Sequence, residues 1–523
     1  MSLPSAKEKA ARADEFVVLA TVPESNITDM PAPVKVAGLR RYVPLLVWLA
    51  ALAAIVIVPL KILSYGYLPE DDALRHAAKA VSGKSWSEIL ILANWVTLDH
   101  NPGWHWLLGA VHHVTGWGTD GLVFLSVAGL FLLFSLTPLA WVRRPEIWLA
   151  VLLATTLAIP RLLPRLAYGR PLLVSSSALM FLLFMWSREW TDPKWKRIVV
   201  SIALCAATAW IHGAWYLFVL PAVAFAAARQ WRAALWLGVS WLAGSFLGAL
   251  LTGHPIAFLA QAIQIVQHCF SNNIPKDKLA FEFRPSGGDW GACAIVIVVI
   301  LARILTRTQW RKVVDNAPFI LAVMGFLLGL RVQRFWVDWG LPALLCWLAL
   351  QAEEPVRRFL REDSPLRLGI TLLLAMGFSV SATQDRGVRW SISTYRDYLS
   401  PRTQPELVDW LPRAGGIVYN VQQGVFYRLA FANPHAQWRY ALGFEPTLMP
   451  PENLAVYERV TANPVSPASY ETWVKKMRPE DCLVIDRDKP IAIPQLEWRL
   501  FGNQTWIGRL PRGTNSLSAS AVK

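Results

Sequence analysis

Long apolar runs constrain this chain more than any other feature of its sequence. The first run, Val43 to Leu63, reaches the roughly 20 residues that a helix needs to cross a bilayer. Lipid offers backbone groups no hydrogen-bond partners, so such segments cross a membrane as helices. Ten further runs lie at about residues 119–141, 146–160, 171–187, 197–211, 214–228, 232–252, 291–306, 317–331, 335–351 and 367–383. The pattern predicts an α-helical integral membrane protein with about eleven transmembrane helices.

The composition excludes two broad classes of protein. Of the 523 residues, 54% are hydrophobic and 17% are charged, whereas soluble domains carry roughly 25% charged residues. This balance argues against a soluble enzyme and against a disordered chain. The formal net charge is +15, from 51 basic and 36 acidic residues. In a membrane protein such an excess mostly reflects basic inner loops, so no nucleic-acid partner is predicted.

The basic residues between the runs predict the orientation of the chain. When the tail 1–42 is placed in the cytoplasm, every inner loop carries Arg or Lys, as the positive-inside rule requires. An odd number of spans then places the C-terminus outside. The predicted organisation is a cytoplasmic tail at 1–42, a transmembrane domain at 43–383 with outer loops at 64–118 and 253–290, and an extracytoplasmic domain at 384–523.

The polar C-terminal segment has its own pattern of secondary structure. Three pieces are typical of strands, namely Ile417–Asn420, Leu483–Asp486 and Thr505–Leu510, and one piece, Ser469–Met477, is typical of a helix. These pieces predict a small α/β extracytoplasmic domain.

Five arginines stand at predicted outer helix ends, where the positive-inside rule expects few basic residues. Arg161, Arg165 and Arg170 lie between the third and fourth spans, and Arg331 and Arg334 lie between the ninth and tenth. The planar guanidinium can bind phosphate oxygens in two places, so one interpretation is a binding site for a lipid phosphate. The alternative is that these side chains reach lipid headgroups or pair with nearby carboxylates.

Three consecutive acids, Glu70, Asp71 and Asp72, follow the first span. A carboxylate at this position can act as a general base, and a group of carboxylates can bind Mg²⁺ or Mn²⁺. The alternative is structural, because Asp71 or Asp72 could cap a helix that runs through Ala73–Ala80.

The first outer loop also concentrates histidines. His100 and His105 follow Asp99, and His112 and His113 come later. The loop has no HExxH or comparable pattern, so a zinc site is not predicted. These side chains either hydrogen-bond a polar substrate or satisfy one another at an interface.

Taken together, these residues resemble the GT-C superfamily of integral membrane glycosyltransferases. The similarity lies in a first span followed by Glu70-Asp71-Asp72 and then Ala73-Leu74-Arg75-His76, in the many spans with arginines at outer helix ends, and in the soluble C-terminal domain. The segments Gly415–Asn420 and Gly424–Tyr427 are similar to those of bacterial members. No WWD-type signature is present in the tail, which favours transfer of a monosaccharide over en bloc transfer of an oligosaccharide.

The resemblance implies a donor sugar on a polyprenyl phosphate and transfer, usually with inversion, to a lipid, glycan or protein acceptor on the outer face of a bacterial inner membrane. Asp71 or Asp72 would be the catalytic base, with Asp72 preferred. The donor phosphate would be bound first by Arg331 and Arg334 and next by Arg165 and Arg170.

The remaining polar residues would contact the sugar or acceptor, namely Glu70, His76, His100 and His105. A divalent cation is optional in the superfamily, and Glu70, Asp71 and Asp72 are the only candidate ligands for it.

Other functions remain open at this stage. A polytopic transporter or lipid flippase would suit the spans, although the runs are almost free of the mid-membrane charges expected in a transporter. A non-catalytic partner in envelope polysaccharide assembly would tolerate substitution of Asp71 and Asp72. An acyltransferase would need His212, which has no evident acidic partner in the sequence.

Overall fold

The computed structural model describes residues 40–188, 194–270, 283–306 and 310–511, so most of the predicted tail 1–42 lies outside it. All eleven apolar runs coincide with helices. In the described part of the chain, five helices are long and apolar enough to cross a membrane, and five further apolar helices are shorter. The predicted membrane-protein architecture is therefore borne out in its helices, whereas the number of eleven spans is not confirmed.

The longer helices are labelled here in chain order. They are α1 Val43–Ser64, α2 Asp72–Ser82, α3 Pro102–Thr115, α4 Thr119–Leu136, α5 Pro145–Ala158, α6 Leu172–Ser187, α7 Lys194–His212, α8 Val219–Ala227, α9 Trp231–Leu250, α10 Pro255–Phe270, α11 Trp290–Leu305, α12 Ala317–Gly329, α13 Leu341–Phe359, α14 Pro365–Thr383, α15 Gln423–Ala432, α16 Pro451–Ala462 and α17 Pro467–Lys476. Short helices at Trp86–Ile89, Leu162–Ala167, Trp310–Val314 and Gln333–Phe335 lie between them.

Small residues let two of the long helices pack closely. A Cβ atom added at Gly244 of α9 would lie 2.5 Å from Cβ of Cys205, and one at Gly248 would lie 2.3 Å from the carbonyl oxygen of Ala206, both on α7. In lipid, where apolar side chains gain little from leaving the solvent, such close backbone approach is a main source of helix association. This contact positions α7, whose last residue, His212, lines a cavity.

The C-terminal segment forms a five-stranded mixed sheet in the order β2-β1-β3-β5-β4. Its strands are β1 Ile417–Asn420, β2 Arg439–Tyr440, β3 Cys482–Asp486, β4 Glu497–Phe501 and β5 Thr505–Arg509. Strands β2, β1 and β3 run parallel, and β5 and β4 complete the sheet in antiparallel fashion. The three predicted strand pieces and the predicted helical piece are confirmed in the structure, with ends shifted by at most two residues.

The C-terminal sheet is joined to the first predicted outer loop. The backbone N–H of Ile91 donates to the carbonyl of Tyr440 in β2 over 3.0 Å, and the N–H of Ala93 donates to the carbonyl of Leu448 over 2.9 Å. Helix α15, which follows β1, packs against α2. The sheet and its first helix are thereby held against the segment that carries the three acids.

Candidate active site

A cavity of about 580 Å³ lies where α2, the end of α7, α10 and the C-terminal domain meet. Its lining joins the acidic segment to arginines from two distant parts of the chain. Nine of the residues singled out from the sequence line it, namely Glu70, Asp71, Asp72, His100, Arg161, Arg165, Arg170, His212 and Arg334. Arg331 is exposed and does not line the cavity, and His76 and His105 lie behind its wall.

The acidic segment is shaped by the start of a helix. Helix α2 begins at Asp72, and Asp71 is its extended N-cap residue, whose Oδ1 accepts a 2.5 Å hydrogen bond from the N–H of Asp72. The capping role considered from the sequence is thus present. A carboxylate at a helix N-terminus is also favoured by the helix dipole. The cap points two adjacent carboxylates into one cavity.

Asp71 is held by a two-pronged ion pair. Nε and Nη2 of Arg170 donate to its two carboxylate oxygens over 2.6 and 2.7 Å. The Asp71 side chain is only 9% exposed. Burial raises the pKa of Asp71, and the Arg170 guanidinium opposes this rise. Both oxygens of Asp71 are therefore occupied by protein donors.

Asp72 is more exposed than Asp71, and its pKa is shifted in the opposite direction. Its Oδ1 lies 2.9 Å from Nε of Arg75 and accepts a 3.4 Å hydrogen bond from the Tyr427 hydroxyl, while its Oδ2 lies 3.8 Å from Nε of Arg170. Burial would raise the pKa of Asp72, but Arg75 and Arg170 outweigh it and hold the pKa well below its usual value. Asp72 is therefore a carboxylate at neutral pH.

Glu70 faces the C-terminal domain. Its Oε1 accepts from Nη1 of Arg428 over 2.6 Å and lies 3.0 Å from Nε of Arg396. Each acid of the segment thus has its own arginine partner. In the part of the chain that the structure describes, no group of three His, Cys, Asp or Glu side chains could hold a metal ion. The optional cation considered from the sequence does not fit this arrangement, and no step is assigned to one.

Two further arginines of the cavity converge on a buried acid. Arg165 donates to Oδ1 of Asp338 over 2.6 Å, and Nε of Arg334 lies 3.2 Å from Oδ2 of the same carboxylate. The Asp338 side chain is fully buried and sits in a single π-helical turn, Trp336–Gly340, just before α13. Such widened turns are frequent at functional sites. Asp338 holds two guanidinium groups at one wall of the cavity.

His212 extends this arginine wall. Its Nε2 lies 3.3 Å from Nη2 of Arg334, and its Nδ1 lies 3.1 Å from the hydroxyl of Ser175. His212 thus contacts Arg334 and Ser175 at this wall of the cavity.

The histidines of the first loop divide into two groups. His100 lines the cavity, and burial lowers its pKa to about 4. His76 and His105 instead hydrogen-bond each other, and His105 also contacts Asp99. Of the four histidines for which that alternative was considered, His105 is thus satisfied within the protein, by Asp99 and by His76 of α2.

Sequence reasoning missed several residues of the cavity. Asp338 could have been identified from the sequence, because an acidic residue inside an apolar run marks a functional position. Tyr427 belongs to a segment that supported the family resemblance, but no pattern indicated that it would lie beside Asp72. Gln423, Phe444 and Glu445 also line the cavity from the C-terminal domain.

Comparison with solved structures gives the class of this fold. No family model matches the chain, and no curated protein matches it. The chain is similar in fold to solved structures, and the resemblance found in the sequence is confirmed at the level of the fold alone.

Two structures illustrate the similarity. The apo crystal structure of ArnT from Cupriavidus metallidurans matches with a TM-score of 0.53 at 13% sequence identity, over 91% of this chain and 98% of that chain. The archaeal oligosaccharyltransferase AglB from Archaeoglobus fulgidus, in complex with an inhibitory peptide and a dolichol-phosphate, matches with a TM-score of 0.49 at 11% identity, over 90% of this chain and 75% of that chain.

Proposed function

We propose that this protein is a membrane glycosyltransferase that moves a sugar from a polyprenyl-phosphate carrier to a lipid, glycan or protein acceptor on the outer face of the membrane. The observation that carries the proposal is one cavity whose lining includes both Asp72 and the two arginines Arg165 and Arg334. A base and a phosphate-binding group are the two parts that such a transfer needs. The similarity of the fold to ArnT supports the class.

Asp72 is the better candidate for the general base. Both oxygens of Asp71 accept hydrogen bonds from Arg170, and one also accepts from the N–H of Asp72. The side chain of Asp72 is about twice as exposed as that of Asp71, at 21% against 9%, and its Oδ2 is 3.8 Å from the nearest arginine nitrogen named above. Asp72 can therefore accept a hydroxyl proton from an acceptor in the cavity, and Asp71 keeps Arg170 in place.

Arg165 and Arg334 are proposed to bind the donor phosphate. The leaving phosphate gains negative charge as the sugar departs, and fixed cations stabilise that charge without needing a proton donor. Asp338 holds both guanidinium groups in place before the donor binds. Arg170 contacts Asp71 and Asp72, and the exposed Arg331 is not part of the assignment.

The proposed chemistry is a single displacement. The acceptor oxygen forms a bond to the anomeric carbon while the bond from that carbon to the phosphate oxygen breaks, and the hydroxyl proton passes to Asp72. With one carboxylate acting as base and no covalent sugar–enzyme intermediate, the configuration of the sugar inverts.

The test is transfer of label from radiolabelled polyprenyl-phosphate sugars by the purified full chain in detergent. A panel of carriers is offered with a pool of envelope-lipid acceptors. Loss of a positioned base typically lowers the rate by about 10²–10⁴-fold, so we expect a fall of that size in Asp72→Asn. Asp120→Asn is the matched control, because Asp120 is exposed and does not line the cavity.

Two results would contradict the proposal. Full activity in both Asp71→Asn and Asp72→Asn would remove the catalytic assignment. A carrier that binds to the wild type in a competition assay but is never consumed with any acceptor would favour a flippase or an assembly partner. Size-exclusion profiles and thermal unfolding midpoints of the variants show whether each protein is folded.

A further inference from the structure

The C-terminal domain places a hydroxyl group beside the proposed base. Tyr427 on α15 donates a hydrogen bond from its hydroxyl to Oδ1 of Asp72 over 3.4 Å. The side chain lines the cavity, and the residue is only 8% exposed. The transfer chemistry proposed above uses the carboxylate of Asp72 and gives Tyr427 no role.

The two carboxylate oxygens of Asp72 have different surroundings. Oδ1 accepts from the Tyr427 hydroxyl and also lies 2.9 Å from Nε of Arg75. Oδ2 lies 3.8 Å from Nε of Arg170, which is too long for a hydrogen bond, and no other side chain that the structure describes donates to it. An oxygen that already accepts from protein donors has fewer lone pairs left for a proton. Oδ2 is therefore the more available oxygen for the hydroxyl of an acceptor.

The C-terminal domain also fixes Arg75, the second partner of Oδ1. Cζ of Arg75 lies 4.7 Å from the centre of the Phe444 ring, and Phe444 packs in turn against Trp86 with 4.6 Å between ring centres. A guanidinium group that stacks on an aromatic face is held in one plane. Both groups at Oδ1 of Asp72 thus depend on the C-terminal domain, since Tyr427 belongs to it and Phe444 supports Arg75.

Helix α15 holds the Tyr427 hydroxyl in place as a donor. The helix packs against α2, and its next residue, Arg428, is buried and pairs with Glu70 over 2.6 Å. Burial, and after it the charge of Asp72, raise the pKa of Tyr427. The hydroxyl therefore keeps its proton at neutral pH and can donate it in a hydrogen bond. Such a bond favours the carboxylate form of Asp72.

We propose that Tyr427 is a positioning residue of the transfer reaction, because its hydroxyl, together with Arg75, holds Oδ1 of Asp72 so that Oδ2 takes the proton of the acceptor. This inference rests on the proposed function. Tyr427 acts through Asp72 and neither gains nor loses a proton during transfer. Its hydrogen bond is long, as catalytic hydrogen bonds often are before the substrate binds and tightens them. The C-terminal domain thereby completes the catalytic centre as well as bordering the cavity.

The first test measures the contact without any substrate. The full chain in detergent is labelled with tyrosine that carries ¹³C at Cζ, and the signal of Tyr427 is identified by its loss in Tyr427→Phe. We expect this signal to move in Asp72→Ala, which removes the acceptor, and to move less in Asp72→Asn, which keeps a neutral one. Asp120→Asn is the control, because Asp120 is exposed and does not line the cavity. A Tyr427 signal that is the same in all three variants and the wild type would overturn the inference.

The second test measures turnover in Tyr427→Phe, which removes only the hydroxyl. Misplacement of a reacting group is costly, so we expect kcat to fall by about tenfold or more. The KM for the donor should stay within about twofold, because Arg165 and Arg334 keep their partner Asp338. A loss in kcat alone distinguishes a group that positions the base from one that only shapes the cavity.

A rescue variant separates the hydrogen bond from the packing of the ring. Tyr427→4-aminophenylalanine, introduced by amber suppression, keeps the ring and places an N–H donor where the hydroxyl was, so it should recover most of the kcat that Tyr427→Phe loses. Tyr470→Phe is the matched control. It removes another buried hydroxyl of the C-terminal domain, which donates to the carbonyl of Pro464 over 3.2 Å and does not line the cavity, and kcat should not change.

Three kinetic results would overturn the inference. They are an unchanged kcat in Tyr427→Phe, a raised KM for the donor as its only effect, and a rescue variant that is folded but as slow as Tyr427→Phe. Unfolding midpoints show whether each variant is folded. Absence of transfer by the wild type would contradict the proposed function instead, and the ¹³C signal then decides separately whether Tyr427 is bound to Asp72.

Discussion

Asp71 and Asp72 are neighbours in the sequence, yet their surroundings move their pKa values in opposite directions. Burial raises the pKa of Asp71, whereas Arg75 and Arg170 overcome burial and lower that of Asp72. Pairs of titratable groups whose pKa values are shifted in opposite directions commonly have different roles in an active site. Here the division separates a residue that anchors Arg170 from one that is ionised and accessible.

Substitution of Arg170 should lower the stability of the protein, because Arg170 is the ion-pair partner of the buried Asp71. In Arg170→Gln the buried Asp71 carboxylate loses both of its ion-pair bonds, and breaking a buried pair from one side typically costs about 3–5 kcal/mol. The double variant Arg170→Gln/Asp71→Asn should recover part of this loss, because no buried charge is then left alone. Thermal unfolding in detergent measures the cycle. Strictly additive effects would contradict the coupling of the two residues.

The residues that the sequence identified share one property, which is that they violate the pattern around them. The acidic triplet and the outer arginines break the charge rules of a membrane protein, and most of them line the cavity. Their partners could not be identified in this way. Asp338 is 173 positions from Arg165, and Tyr427 is 355 positions from Asp72. A single sequence contains no information on which of many distant residues closes such a contact.

At the level of the elements, α15 determines how the C-terminal domain meets the acidic loop. Arg428 on this helix is 5% exposed and bridges two carboxylates, with 2.6 Å to Glu70 and 2.7 Å to Asp486 in β3. The sequence predicted β1, which precedes α15, and β3, but not β2, the strand that follows α15 in the chain. It did not predict the docking, because that depends on one buried arginine and on backbone hydrogen bonds from Ile91 to Tyr440 in β2 and from Ala93 to Leu448.

Substitution of Arg428 should loosen the C-terminal domain. In Arg428→Gln two carboxylates lose their shared cation inside an interface, and we expect a destabilisation of about 3–5 kcal/mol with faster proteolysis near residues 384–416. Lys476→Gln is the matched control. Lys476 also pairs with an acid at 2.6 Å, but that pair is exposed and should contribute less than about 1 kcal/mol. Equal protease sensitivity of the two variants would contradict the bridging role.

Helix α10 was not predicted, because the length of an apolar run does not identify amphipathic helices. It lies in a segment that was predicted as an outer loop, because it is too polar for a membrane span. Phe258, Ala262 and Ile265 line the cavity at helical spacing, and the amide of Gln261 bonds the backbone of Thr97 and Leu98. The period of these apolar residues was the available signal for an amphipathic helix.

At the scale of the whole molecule, the type of each secondary-structure element could be predicted from the sequence better than the way in which the elements pack together. Apolar runs report that a segment is a helix, since lipid imposes that form, and all eleven runs are helical here. Apolar runs do not indicate which faces of the helices pack together, because lipid-facing and protein-facing residues are both apolar. Contacts such as those at Gly244 and Gly248 therefore become evident only in the structure.

The buried histidines make the stability of the whole protein sensitive to mild acid. Burial lowers the pKa of His76, His100 and His105, that of His100 to about 4, whereas an unfolded histidine titrates near its ordinary value of 6.5. Between these values the unfolded chain binds more protons than the folded one, so stability falls as the pH falls. Asp71, with its raised pKa, acts in the opposite direction as a single group.

The pH window separates the histidines from the ion-paired acids. Asp72 and Asp99 have lowered pKa values, so the stability that they contribute is present above the ordinary aspartate value of 3.8 and is lost only below it. We therefore expect the unfolding midpoint to be nearly constant above about pH 6.5 and to fall steadily from there to about pH 4.

His100→Phe should reduce this fall, by about 2 kcal/mol at pH 5, because it removes one buried titrating ring that packs near Phe444. Thermal unfolding in detergent at a fixed scan rate measures both proteins. A midpoint of the wild type that stays constant down to pH 4, or an equal fall in His100→Phe, would contradict the burial of neutral histidines as the cause.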